Sequence, residues 1–251
     1  IYLIIPMFDF SSVYPSPSTF KKPDGTSRYC FMTFVMRGDA FIPGALVFAF
    51  ALRQQHTQAD LLCMVTKEVS SQARQALEML FDKVLEVEEL FIFHERRQER
   101  QDRPYLFTRF QSLLFGSDGP YGLMYEKVVL ADADVLPLTS YDHLFSLDSP
   151  AGVINEFKEN CIQSDEKGAY INPFSGNENG KWIWHKIYDP ICPHGKKIPK
   201  VITDRVKTDQ NNRGVNSSLW VVSPSVQIYD KIITELSSPE MKALVSNQFS
   251  W

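Results

Sequence analysis

An α/β fold built on a mixed, mostly parallel sheet flanked by helices is what this sequence predicts, and three observations predict it. Short apolar runs recur at Tyr29–Met36, Leu61–Val65, Val84–Val87 and Val128–Ala131. Val128–Ala131 is compact and apolar, too short for a helix and typical of a buried parallel strand. Segments with helical spacing lie between the runs, and strand-helix alternation of this kind argues for parallel strands joined by crossover helices. A chain of 251 residues can bury one sizeable core, so a single domain over 1–251 is expected.

The elements follow in order. Residues 1–28 carry Pro15, Pro17, Pro23 and Gly25 and read as an extended N-terminal arm and loop. Tyr29–Met36 opens the sheet. Pro43-Gly44 then starts an Ala/Leu/Phe-rich helix over Ala45–Gln55, with proline near its first turn. After the Leu61–Val65 strand, Ser70 or Ser71 caps a helix whose face is Ala73, Leu77, Leu80 and Phe81. Val84–Val87 is the next strand. Glu95–Arg103 alternates acids and arginines, the pattern of a solvated face. Leu106, Phe110, Leu113 and Leu114 give a further amphipathic helix before the Val128–Ala131 strand. Residues 156–213, rich in Gly and Pro, read as an irregular insertion leaving the sheet. Order returns with a strand at Ser217–Val222 and a helix from Ser225 to about Leu236.

Composition removes several function classes. Aromatic residues make up 13% and net charge is only -4, which excludes low-complexity disorder. With 26 basic and 30 acidic residues there is no general pull toward nucleic acid or an anionic membrane. No apolar run approaches the roughly 20 residues that span a bilayer. Cys30, Cys63, Cys161 and Cys192 form no CxxC pair, so zinc-ribbon and redox motifs lack their spacing. Cys30 and Cys63 lie in apolar runs and read as small core residues. This cysteine usage, with no visible signal peptide, points to a cytoplasmic setting. The chain opens on Ile1, as an excised domain or a processed product does. Phosphate-loop and dinucleotide fingerprints are absent, so kinase and dehydrogenase readings fall away.

The strongest chemical signal is Lys127-Val-Val-Leu-Ala-Asp132-Ala-Asp134-Val-Leu-Pro137. Two carboxylates sit two residues apart where a buried strand ends, the edge at which open α/β sheets bind ligands. Both can reach one hard cation, such as manganese or magnesium, which typically bridges carboxylates to substrate phosphates. The same acids also fit a turn cap. They also fit a haloacid-dehalogenase-type phosphatase, in which the first Asp attacks phosphorus. Against the phosphatase, the motif lies halfway along the chain, and Asp204 and Asp209 are poor substitutes for its later paired acids.

Four stretches, taken in order, resemble the glycogenin-like members of glycosyltransferase family eight, which have the GT-A fold. They are Thr33–Val47 (TFVMRGDAFIPGALV), Ala51–Leu90 with its Ser-x-x-x-Arg-x-x-Leu helix, Tyr125–Phe145 (YEKVVLADADVLPLTSYDHLF) and Gly214–Ser225 (GVNSSLWVVSPS). The arrangement is also similar to glycosyltransferases carried by large DNA viruses. The resemblance implies a UDP-sugar donor, a manganese or magnesium ion, a glycan or protein acceptor, and transfer of a hexose with retention. It implies that Asp132 touches ribose and metal, that Asp134 binds the metal, and that Ala133 offers its backbone to the ribose. It places Val35, Met36 and Phe41 around the uracil, with Asp39 in the same loop. It gives Arg109, and less securely Arg103, to the donor, and Asn216 and Ser217 to the donor sugar. Ser218 stands where the family has Gly. The family's later Asp-Gln pair and His-x-x-Gly-x-x-Lys element, whose histidine is usually the third metal ligand, are not in place before Trp251, so either the chain is cut short or another residue substitutes.

His194, followed by Gly195-Lys196-Lys197, is the candidate third ligand; it reads equally as a loop histidine. His185 is weaker, and His56, His94 and His143 read as surface or helix-end residues. Trp182, Trp184 and Tyr188 fit either core or an acceptor-sugar platform. A non-catalytic module that binds nucleotide sugar is the remaining alternative. The sequence is silent on oligomeric state and on the identity of the sugar.

Overall fold

The computed structural model describes residues 15–92, 103–154, 157–159, 163–164, 170–171, 181–183 and 215–239. The chain divides into two compact units, Ile1–Ala151 with Ser218–Phe249, and Gly152–Ser217 with Ser250–Trp251.

The strands are β1 (Tyr29–Val35), β2 (Asp60–Val65), β3 (Lys83–Glu86), β4 (Lys127–Ala131), β5 (Ala151–Ile154) and β10 (Val215–Val222). They form one six-stranded sheet in the order β3-β2-β1-β4-β10-β5. β1 is parallel to β2 and to β4, β2 is parallel to β3, and β10 runs antiparallel to β4. This is the mixed, mostly parallel sheet that the sequence predicts. β1 lies inside the sheet, and all seven of its residues are buried, which is why it reads as an unbroken apolar run rather than an alternating one.

Helices cover both faces. Helix α1 (Ile42–Gln54) buries Ile42, Ala45, Phe48, Ala49 and Leu52, a spacing of three and four residues that faces the sheet. Helix α2 (Ser71–Glu78) is capped by Ser70, whose hydroxyl accepts the Ala73 N–H at 3.2 Å. On the other face, Cys30, Met32 and Phe34 of β1 pack with Leu62, Met64, Leu113, Phe115 and Leu130. Tyr229 and Ile232 of helix α3 (Val226–Leu236) pack against this cluster. Cys30 and Cys63 are fully buried and free, as core residues should be. Burial pushes both thiols up, which keeps them unreactive. No helix among the described residues is long and apolar enough to cross a membrane.

Three expectations need correction. The segment expected as an amphipathic helix around Leu106–Leu114 is a 3-10 helix, Arg103–Leu114. The Leu106 carbonyl accepts from the Arg109 side chain at 3.1 Å, and the Leu113 carbonyl accepts the Ser225 N–H at 2.8 Å. A 3-10 helix closes its ladder at i→i+3 rather than i→i+4, a difference that apolar spacing over nine residues does not signal. The described part of the N-terminal arm is anchored rather than extended. Phe20 is 4% exposed and packs edge-on against Tyr29 and Phe145, and Lys21 bridges to Ser27. Within the second unit, β6 (Phe157–Glu159) pairs antiparallel with β9 (Lys181–Ile183). β7 (Gln163–Ser164) pairs with β8 (Tyr170–Ile171). Small ladders therefore stand where only irregular chain was expected, because two or three residues are too few for any periodic signal.

At the amino-terminal edge of the sheet, Asp60 accepts the Tyr125 hydroxyl at 2.9 Å and faces Lys21 and Lys83. Burial alone would raise its carboxyl, but the Tyr125 hydroxyl and the two lysines outweigh that and hold it below the usual range. A lowered folded value means stabilisation that is complete above the unfolded value and lost as pH falls through the folded one. Asp60→Asn should therefore cost about 1–2 kcal/mol at neutral pH. The gap should close as pH drops below about 4. Urea unfolding across pH checks both. Phe145, 2% exposed and stacked on Tyr29 at 4.9 Å, should cost about 3–5 kcal/mol on change to Ala by the same measurement.

Candidate functional site

β1 pairs with β2 on one side and β4 on the other, so the order of the chain reverses between β1 and β4. The crevice at the carboxyl ends of such strands is where open α/β sheets take ligands. Two loops meet there, the one leaving β1 and the one leaving β4.

The chain leaves β4 into a tight turn. The Val135 N–H donates to the Asp132 carbonyl at 3.1 Å, so Asp132 and Asp134 lie on one turn. The Asp132 N–H donates to the Ser218 carbonyl at 2.8 Å, which pins the start of the turn to β10. Ala133 is buried between the two acids. Asp134 is exposed, and its carboxylate has no hydrogen-bond or ion-pair partner among the described residues.

Arg109 holds the other acid. Its Nη2 lies 3.1 Å from Asp132 Oδ1, with the arginine side chain 9% exposed and the aspartate 32%. The guanidinium lies 5.3 Å from the Phe34 ring centroid and 6.0 Å from that of Trp220, and its Nε donates to the Leu106 carbonyl. Burial pulls its pKa below the ordinary value while Asp132 pulls it back. An arginine stays charged through such a shift, so its guanidinium fixes the direction of the Asp132 carboxylate. The sequence reading assigned Arg109 to a donor, and the structure gives it an intramolecular partner as well. The two residues are 23 apart in sequence, and no local spacing signals such a pair.

The loop after β1 is shaped by backbone rather than side chains. Val35 and Met36 are buried, and the Val35 carbonyl accepts the Thr66 N–H at 3.2 Å. Arg37 has φ 57° and Gly38 φ 108°, a left-handed pair that swings the chain off the strand. The Arg37 N–H donates to the Thr66 hydroxyl at 3.0 Å. Its guanidinium covers the Tyr105 ring at 4.2 Å and faces Glu89 at 3.5 Å. Sequence reasoning missed this cluster. Burial, with Glu68 nearby, pushes the Glu89 carboxyl up, and Arg37 opposes that shift. Asp39 accepts the Ser70 N–H at 2.9 Å, which ties the loop to the start of α2; the Ser70 side chain first and this N–H second lower its carboxyl. Phe41 is 45% exposed at the amino end of α1, a ring presented to solvent.

The other candidates are placed as follows. Arg103 begins the 3-10 helix. Asn216 and Ser217 lie in β10. His94, His185, His194, Trp184 and Tyr188 lie outside the described residues, and Trp182 is a residue of β9. Among the described residues no group of three His, Cys, Asp or Glu forms a metal cage. Two carboxylates on one turn, one of them exposed, nevertheless suit a hard divalent ion that fills its remaining positions with water and phosphate oxygens.

Comparison with known proteins bears on what the crevice is for. No family model matches the chain. Rabbit (Oryctolagus cuniculus) glycogenin-1 is 32% identical over 126 residues, 50% of this chain and 37% of that protein. About half of this chain is thus similar to glycogenin. The uncharacterized protein R707 of Acanthamoeba polyphaga mimivirus is 26% identical over 132 residues, 52% of this chain and 44% of that one. The glycogenin-like region thus spans less than half the length of either relative. A solved structure of the galactosyltransferase LgtC with donor and acceptor sugar analogs covers 86% of this chain and 69% of its own, at 12% identity and a TM-score of 0.44.

In this crevice Arg109 serves two acceptors at once, Asp132 and the Leu106 carbonyl. A lysine cannot reproduce that fork. Arg109→Lys should therefore cost about 1–2 kcal/mol in urea unfolding, even with the positive charge kept.

Proposed function

We propose that this chain is a glycosyltransferase that moves a hexose from a UDP-sugar to a glycan or protein acceptor, with a divalent cation and with retention. The observation that carries the reading is the turn at the β1–β4 switch point. It presents Asp132 and Asp134 together and fixes the first by Arg109. The likeness to glycogenin over half the chain supports it.

A sugar nucleotide leaves as a diphosphate, and its departure needs negative charge to be met. Asp132 and Asp134 would hold a manganese or magnesium ion, which supplies Lewis-acid neutralisation at the leaving oxygens. The chain's own residues do the rest. Arg109 fixes the Asp132 carboxylate in one orientation and offsets the repulsion between two acids on one turn. The turn's hydrogen bond keeps the Asp134 carboxylate facing out. Asp39 fixes the loop that carries Phe41 by accepting from Ser70, and the exposed Phe41 ring offers a face for a base to stack on.

The test is calorimetric titration of UDP, with and without manganese, into the wild type and Asp134→Ala. Wild type should bind only with manganese, and the variant should bind at least about tenfold more weakly, a loss of about 1.4 kcal/mol. Equal binding by the two proteins would remove the metal assignment. Failure of the wild type to bind UDP under any condition would remove the donor site itself. Where binding holds, product analysis across UDP-sugars names the hexose.

A further inference from the structure

The two halves of the crevice meet at a point where no side chain intervenes. Gly44 lies in the first turn of α1, directly beside the backbone of Ala133 in the Asp-x-Asp turn. A Cβ built on Gly44 would collide with the Ala133 carbonyl oxygen and stand 3.2 Å from its carbonyl carbon. The obstacle is backbone, and that backbone is tethered on both sides. The Asp132 N–H is bound to Ser218, and the Val135 N–H closes the turn. It has little room to give. The Ala133 carbonyl also points its negative end at the amino end of α1, where the helix carries partial positive charge.

The same helix start is fixed from the other side. The Ile42 N–H donates to the Asp39 carbonyl at 3.1 Å. Asp39 in turn is held by Ser70. The loop after β1 and the turn after β4 are therefore joined through the first turn of α1, and Gly44 is the joint. We propose that Gly44 is a positioning residue. Its bare Cα sets the distance between the loop carrying Phe41 and the turn carrying Asp132 and Asp134. One added methyl group would displace the two acids without touching any ligand. The proposal deepens the donor-binding reading and rests on it for its functional consequence.

Gly44→Ala separates this from a structural role. Alanine is the better helix former by roughly 1 kcal/mol, so helix propensity alone predicts a protein at least as stable as wild type. The first arm uses ligand-free protein and hydrogen exchange. In Gly44→Ala the amides of Asp132 and Val135 should exchange at least about tenfold faster, with those of β1 and β2 unchanged. Unchanged exchange at both amides overturns the proposal, and so does global unfolding, which would make the contact a support for the fold as a whole. The second arm titrates UDP at increasing manganese. The manganese concentration giving half-maximal binding should rise about tenfold in Gly44→Ala, and combining it with Asp134→Ala should give less than the sum of the two effects. Strict additivity counts against the joint. If wild type does not bind UDP at all, the donor reading fails, and the exchange arm alone decides whether Gly44 positions the turn.

Discussion

The Arg109 guanidinium is nearly withdrawn from water and remains charged, and much of the site follows from what answers that charge. Asp132 supplies the counter-charge, the Leu106 carbonyl takes a second donor, and Phe34 and Trp220 supply ring faces. Each partner comes from a different element. The arginine thereby ties the 3-10 helix to β1, to the end of β4 and to β10. A buried ion pair adds little net stability but loses much if one partner is removed. Its effect here is to fix where Asp132 points. Asp134, two residues on, is exposed and has no such tie among the described residues. One acid is set by an arginine and the other is exposed, an unequal division that two equivalent surface acids would not show.

Much of the fold was legible in the sequence, for identifiable reasons. β1, β2 and β4 are buried on both faces, so their apolar runs are unbroken. The buried face of α1 repeats at three and four residues. Ser70 caps α2 as its position suggests. What escaped detection depends on partners distant in the chain. Nothing near Phe20 signals that Tyr29 and Phe145 will enclose it. Nothing near Leu113 signals that the Ser225 N–H will donate to its carbonyl.

The site shows the same division. The Asp-x-Asp pair was legible because its chemistry sits in three consecutive residues at the end of a strand. The Arg109–Asp132 pair was not, since the two meet only once β4 and the 3-10 helix are packed. The stack of Arg37 on Tyr105 needs a left-handed residue at 37, and an arginine gives no hint of that. Gly44 was the least visible of all, because its contribution is an absent side chain.

The outer strand β3 has a consequence of a different kind. It ends the sheet on one side, and an outer strand offers unpaired backbone to any passing chain. β3 is only four residues long, with Lys83 and Glu86 exposed at its ends. Those charges are engaged, Lys83 with Asp60 and Glu86 with Arg74 at 2.6 Å. A foreign strand would gain a very short ladder and would have to settle among paired charges to do so. The sheet is thus closed to self-templating on this side by brevity and charge, and its most apolar strands stay in the interior where no neighbour can copy them.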